Sequence, residues 1–471
     1  MTRFNTKSVP VKVFNKAGGQ AFQESSKLEL VSILLTSFLK NDFYRSADET
    51  VTRLRELITN EKDKKFVAQA AVYARTQFGM RSVSHLVAAE IAKQVKGQEW
   101  SKSFFDKIIH RPDDMSEIMA CYCHENGKPI PNAMKKGFAK AVERSTAYAL
   151  AKYRMEGKDV SLVDIVNLVH PKHTEAIKLL IGGELKNKDT WEKVLSEAGH
   201  GDEDGLDDRK DKAWKDLLLE NKLGYFALLR NLRNIIQQSP ESVPLACKAL
   251  VNEEAIKKSL VLPFRFVTAI KVLSEINEDG CQQVIRALNK AIDIALSNVP
   301  KFDGKTLVVL DTSGSMRGQP IGIGSLFSAI LIKANNADFM RFSDDAEYLT
   351  LNPDDSTLTL SNQICQAKSG GTNFNAIFQV ANKKYDRIII LSDMQGWVQD
   401  HMMKRSFTDF KQRVDCSPFL YSFDLAGLGT LQFPENKVFC LAGFSDKTMD
   451  IMSMLEKDKN ALIHEIEKIV L

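Results

Sequence analysis

Five residues in the last third of the chain carry oxygen side chains at a spacing suited to a hard metal ion. The run TLVVLDTSGSM places Asp311, Ser313 and Ser315 at alternate positions after an apolar stretch. A D-x-S-x-S spacing lets one tight loop present three oxygens to a single point, and Gly314 permits the turn. A second loop, Ser369-Gly370-Gly371-Thr372-Asn373, can bring the Thr372 hydroxyl close, and Asp393 ends the run RIIILSD. Two carboxylates and three hydroxyls, without His or Cys, suit Mg²⁺ first, with Mn²⁺ or Ca²⁺ as alternatives, better than zinc. Asp393 can act through coordinated water. Ligands of open α/β sheets bind at the carboxyl ends of strands, where all five of these residues fall.

Enzymatic uses of the same residues fit less well. A phosphotransfer aspartate at a strand end is expected in D-x-D, and position 313 is serine. The chain has no G-K-[ST] phosphate loop, and TSGSM is not a G-x-S-x-G elbow. The expectation is a protein that is not an enzyme. Cys121, Cys123 and His124 lack the second ligand pair that zinc needs and read as part of a buried helix.

The other candidate chemistry is cationic. PNAMKKGFAKAVERSTAYALAKYR (131–154) reads as a helix with Met134, Phe138, Val142 and Ala149 on an apolar stripe. Lys136, Lys140 and Arg144 recur every four residues on the opposite face, where three cations can track successive phosphates. Lys152 and Arg154 extend the patch, and His170 and Lys172 begin another joint. The same pattern also fits a plain solvated helix face.

These residues need two kinds of scaffold. Residues 25–295 carry helical periodicity almost throughout, in amphipathic pairs with short polar joints, which predicts an α-helical HEAT-like repeat array. HGDEDGLDDRKDK (200–212) reads as an exposed loop. After about residue 300, short β-rich runs alternate with helical stretches, which predicts a doubly wound α/β sheet, with NVPKFDGK (298–305) as the hinge. The expected domains are 15–300 and 301–471. Net charge is +4, but residues 1–300 hold 46 Lys and Arg against 39 Asp and Glu, and residues 301–471 hold 18 against 21. Seven irregularly spaced cysteines argue against a disulfide framework, and no run is long enough to span a membrane. The N-terminal residues lack a secretory signal, so a cytoplasmic protein is expected.

Two resemblances sharpen this. The D-x-S-x-S run, the GGT loop and Asp393 resemble the metal-ion-dependent adhesion site of von Willebrand factor A domains, which implies an ion with an open position for an acidic protein ligand. AGGQAF, LTSFLKNDFY, AVYARTQFGMRSVSHLVAAEIA, RPDDMSEIMACY, IPNAMKKGFAKA, LGYFALLRNLRNI and LPFRFVTAIKVL together resemble the TROVE module of Ro ribonucleoproteins. That resemblance implies a ring of HEAT-type helices followed by an A domain. It also implies a monomer that binds Y-like small non-coding RNAs and single-stranded 3′ ends of misfolded RNAs, working beside an exoribonuclease in RNA quality control. It places Lys136, Lys140, Arg144, Lys152, Arg154, His170 and Lys172 in the RNA-contact region, adds Arg75, Arg81 and His85, and leaves Arg230 and Asn231 a structural role. Competing expectations are a metal-dependent protein-interaction adaptor that takes no RNA, and a metal-dependent phosphohydrolase.

Overall fold

A computed structural model describes residues 12–14, 20–23, 26–36, 47–185, 190–200, 205–259, 261, 263–296, 301–365, 370–396, 403–425, 430–431, 437–441, 452–453, 455–456 and 461–471. Ser369, residues 201–204 of the charged loop and hinge residues 298–300 lie outside them. The chain divides into two compact units, one of residues 58–295 with 465–471, the other of residues 1–57 with 296–464. Residues up to 57 thus group with the sheet unit, although the sequence boundary places 15–57 in the helical module.

The first elements are β1 (Lys12–Phe14), β2 (Gln20–Gln23), α1 (Ser26–Thr36) and α2 (Ala47–Asn60). The helical unit then runs through α3 (Lys64–Gln77), α4 (Ser82–Ile91), α5 (Ser101–Lys107), α6 (Pro112–Asn126) and α7 (Asn132–Glu143). It continues with α8 (Ala147–Lys152), α9 (Leu162–Val169), α10 (Glu175–Ile181), α11 (Trp191–Ala198) and α12 (Leu206–Leu219). It ends with α13 (Tyr225–Gln238), α14 (Val243–Leu250), α15 (Glu253–Ser259), α16 (Pro263–Ser274) and α17 (Cys281–Ala295). Helices pack chiefly on near neighbours in sequence, α3 on α4, α5 on α7, α11 on α12 and α16 on α17, as a repeat array requires.

Local chemistry sets the helix starts. Asp63 accepts from the Phe66 amide at 3.0 Å, and Ser161 and Asp164 form a reciprocal capping box. The expected helical periodicity is broken in two places. The 131–154 stretch splits because the Thr146 hydroxyl accepts from the Ala149 amide and starts α8 afresh, while Ser145 bonds back to the Ala141 carbonyl. The 212–236 stretch turns at Asn221, whose φ is 52°, and restarts after Gly224. The expected loop at 200–212 is helical from Leu206, because Asp207 and Asp208 sit in the first turn, where negative charge is favoured.

Residues 465–471 belong to the helical unit. Gln69 of α3 donates to the carbonyls of Glu467 and Ile469, both at 2.8 Å, and Lys107 donates to the Val470 carbonyl.

The sheet unit holds β3 (Thr306–Asp311), α18 (Gln319–Asn335), β4 (Asp338–Phe342), β5 (Ala346–Leu349), α19 (Thr357–Ile364) and α20 (Phe374–Val380). Then come β6 (Arg387–Ser392), α21 (Met403–Val414), β7 (Phe419–Asp424), β8 (Thr430–Leu431), β9 (Val438–Leu441) and the start of α22 (Ala461–Glu467), whose last three residues fall in the helical unit. The main sheet has the order β5-β4-β3-β6-β7-β9, parallel except for the β4–β5 edge pair. Every residue of β3 and β6 is buried, as strands covered on both faces must be. A small sheet, β1-β2-β8, stands apart. Among the described residues no helix is long and apolar enough to cross a membrane.

The approach of α7 to α5 depends on Gly137. A Cβ there would overlap the Phe105 Cβ and lie 2.8 Å from the Lys102 carbonyl of α5. Gly137→Ala should therefore destabilise the fold by about 1–3 kcal/mol, read as a lower urea midpoint at unchanged slope.

Candidate functional site

The D-x-S-x-S loop follows directly on β3. Asp311 ends β3, and its carboxylate accepts from the Ser313 amide at 2.9 Å and the Ser392 hydroxyl at 2.6 Å. The Ser313 and Ser315 hydroxyls are 3.2 Å apart, and the Ser315 hydroxyl favours the charged form of Asp393. The Gly314 amide reaches the Gly370 carbonyl at 3.3 Å, which ties the two loops together. Thr372 follows, buried, with Gly371 donating to Asp344 and Asn373 to the Ser343 carbonyl, both at 2.8 Å.

Electrostatics there are unfavourable to two bare carboxylates. Burial first, and the Asp393 charge second, push the Asp311 carboxyl up to about 7. Burial also raises Asp393, whose Oδ2 is buried without a hydrogen-bond partner. A buried acidic pair with clustered hydroxyls and an unsatisfied carboxylate oxygen fits a hard cation. Among the described residues no group of three or more His, Cys, Asp and Glu is placed to hold a metal ion, so the donor set considered is the mixed one described.

The cations nominated by sequence differ in their surroundings. Lys136 and Lys140 are exposed on α7, with Lys140 2.9 Å from Asp106. Arg144 is anchored: it donates to the Asp106 carboxylate at 2.9 Å and to the Asp106 and Ile109 carbonyls. Arg154 is held by Glu156 and the Leu185 carbonyl. His170 is the left-handed cap of α9, and the Lys172 amide donates to Glu143. The break at 144–146 means Lys136, Lys140 and Arg144 do not share one helix with Lys152.

Arg75, Arg81 and His85 do not present an RNA-facing surface. Arg75 is 6% exposed and donates to Asp114 at 3.0 Å. Arg81 reaches Asp113 at 2.6 Å, Asp114 at 3.0 Å and Glu117 at 2.8 Å. His85 is 3% exposed, with Nδ1 2.8 Å from Glu117 and Nε2 3.1 Å from Asp114. Asp114 is fully buried at the start of α6 and also accepts from the His110 and Arg111 amides.

Sequence reasoning missed a cleft of about 1170 Å³ within the helical unit. Its wall carries the aromatic side chains Tyr148, Tyr153, Trp191, Tyr225 and Phe226. Arg111, Lys152, Lys222, Arg230 and Lys258 supply positive charge, and Asn221, Asn231, Asn234 and Asn252 supply amides. Tyr148 and Phe226 are 44% and 41% exposed, so part of each ring is accessible to a ligand. Arg111 lies over the Tyr153 ring at 4.8 Å and Arg265 over Phe226 at 5.4 Å. Cations interleaved with aromatic faces suit single-stranded nucleic acid. Of the nominated residues only Lys152 lines this cleft; Arg230 and Asn231, assigned a structural role by sequence, line it too. The available signal was aromatic: Tyr148 and Tyr153 flank Lys152, and Tyr225 and Phe226 open α13.

Burial works against the proton on His85, but the Asp114 and Glu117 carboxylates outweigh it and raise its pKa. The stabilisation is fully present below the unfolded value of about 6.5 and is lost as pH rises through the higher folded value. Asp114 is also desolvated, yet His85 and Arg75 hold its carboxyl far below the ordinary range. Its contribution is present above the unfolded value of about 3.9 and is lost only in strong acid. Unfolding free energy should therefore fall as pH rises above neutrality, and His85→Gln should flatten that slope in pH-resolved urea titrations.

The TROVE domain family model matches residues 25–180 and 183–316. Telomerase protein component 1 of Rattus norvegicus is 20% identical over 343 residues, covering 53% of this chain and 13% of that protein. The chain thus spans only a small part of that relative's length. The crystal structure of the Deinococcus radiodurans Ro (RSR) protein aligns with a TM-score of 0.59 at 18% identity, covering 90% of this chain and 99% of that one. That likeness is one of fold. With the family model matching more than half its length, the chain belongs to the TROVE-domain family.

Proposed function

We propose that the chain is a non-catalytic RNA-binding scaffold of the Ro type. TROVE and Ro proteins bind RNA in ribonucleoprotein complexes. The observation that carries the reading for this chain is the aromatic and cationic cleft between Arg111 and Ser259. Bases stack on its rings while Lys152 and Arg230 meet phosphates, so the ligand has unpaired bases and sequence readout is limited. In this reading the ligands are Y-like small RNAs and single-stranded 3′ ends of misfolded RNAs. The protein acts as a cytoplasmic monomer beside an exoribonuclease, and the exposed Lys136 and Lys140 supply further phosphate contacts.

Trp191→Ala and Tyr148→Ala should each weaken single-stranded RNA binding by about 1–3 kcal/mol. Lys152→Ala should lower the salt slope by about one. Fluorescence anisotropy against duplex and single-stranded RNA reads both. Unchanged affinity in all three variants would remove the cleft from the function.

In the same proposal, Asp311, Ser313, Ser315, Thr372 and Asp393 hold a divalent cation, Mg²⁺ before Mn²⁺ or Ca²⁺. Such an ion supplies an open coordination position for an acidic protein ligand. The unsatisfied Asp393 oxygen also supports the adaptor reading, and copurification separates the two: a stoichiometric small RNA supports the scaffold, a protein partner alone the adaptor. Mg²⁺ added to chelator-stripped protein at a hundred times its Kd should stabilise the sheet unit by about 2.7 kcal/mol. Asp311→Asn should abolish that gain and stabilise the stripped protein by removing one of two facing charges. No thermal shift with any of the three ions would sink the metal assignment.

A further inference from the structure

Glu192 is out of place in a cleft that recruits phosphates. It is the one carboxylate among the described lining residues of the cavity, and it is 45% exposed. Its Oε1 is 3.1 Å from the Lys152 ammonium. Three aromatic rings surround that ammonium, with centroids at 5.8 Å for Tyr148, 5.8 Å for Tyr153 and 5.7 Å for Trp191. Trp191 and Glu192 are consecutive residues in the first turn of α11, a helix that buries none of its side chains fully. A ring face and a carboxylate are therefore presented together, on one rigid piece of backbone.

We propose that this corner is a base-reading subsite selective for an unpaired guanine, with Glu192 as the residue that sets the selectivity; the proposal rests on the RNA-binding reading above. A carboxylate offers two acceptor oxygens and no donor. Guanine is the base whose Watson–Crick edge places two donors side by side, N1–H and the N2 amino group, matching both oxygens. Adenine and cytosine each offer one amino group beside a ring nitrogen that accepts. Uracil offers N3–H between two carbonyl oxygens that repel a carboxylate. The order of preference follows as guanine first, adenine and cytosine next, uracil last.

The surrounding residues complete the subsite. The rings of Tyr148 and Trp191 give the base flat surfaces to stack on, which exposes its Watson–Crick edge to Glu192. A phosphate of the same strand competes with Glu192 for the Lys152 ammonium, so entry of the strand releases both carboxylate oxygens for the base. In the absence of a strand, the Lys152–Glu192 pair keeps cation and carboxylate mutually neutralised between the rings. Phosphate and base are thus read by the two halves of one ion pair.

The test uses the full chain and short uridine-rich RNA strands that differ at a single central nucleotide, G, A, C or U, followed by anisotropy. The wild-type protein should bind the G strand on the order of tenfold tighter than the all-U strand. Glu192→Gln should bring the four strands to near equality, because a side-chain amide replaces one acceptor with a donor. Trp191→Ala should weaken all four strands together. Equal wild-type binding of the four strands, or a guanine preference that survives Glu192→Gln, would overturn the guanine assignment while the Trp191→Ala loss leaves RNA binding in the cleft standing. If Trp191→Ala and Lys152→Ala change no affinity, the RNA-binding reading of the cleft falls, and this proposal with it. Thermal melts of each variant separate loss of fold from loss of contact.

Discussion

Asp114 is a fully buried carboxylate, and its burial is tolerable because every side of it is answered. Arg75 comes from α3, Arg81 and His85 from the start of α4, and two backbone amides from the turn that opens α6. A charge taken out of water costs several kcal/mol unless it is paired and hydrogen-bonded, so the three helices must meet in one arrangement or not at all. Asp113, one residue earlier, binds both Arg81 and Arg111. Arg111 then turns outward over the Tyr153 ring and into the cleft. The buried network therefore sets the position of a cleft wall that it does not itself reach.

This arrangement explains what was legible in the sequence and what was not. The metal-type loop was readable because its donors are close in sequence: Asp311, Ser313 and Ser315 share one strand end, and a strand-end carboxylate has few places to go. The helices were readable from periodicity, except where one hydroxyl, that of Thr146, competed with the backbone and restarted the chain. Arg75, Arg81 and His85 were misread because a cation in a sequence carries no record of which carboxylate it faces. The anchoring of Arg144 was not legible for the same reason, since Asp106 lies 38 residues away. The cleft was invisible because its walls come from segments between residues 111 and 259 that no spacing rule connects.

The two units use charge in opposite ways. In the helical unit carboxylates neutralise guanidinium and imidazole groups in the interior, and the cations of the cleft face outward among aromatic rings. In the sheet unit two carboxylates face each other at the ends of β3 and β6, with hydroxyls rather than cations around them. The first pattern is satisfied by the chain alone. In the second, burial raises both carboxyls, and the facing charge of Asp393 raises Asp311 further. The overall net charge of +4 averages these patterns and describes neither.

The strand of backbone that lies along α3 has a consequence for how the protein is made. Gln69 bonds to carbonyls 398 and 400 residues further along the chain. Repeat arrays ordinarily gain structure as each repeat emerges from the ribosome, since each needs only its neighbours. Here α3 keeps the two donors of its Gln69 side chain waiting for carbonyls that emerge only with residues 467 and 469. The helical unit is consequently finished only after the sheet unit has been made, and a nascent chain stalled before residue 465 carries an incomplete helical unit however long it waits.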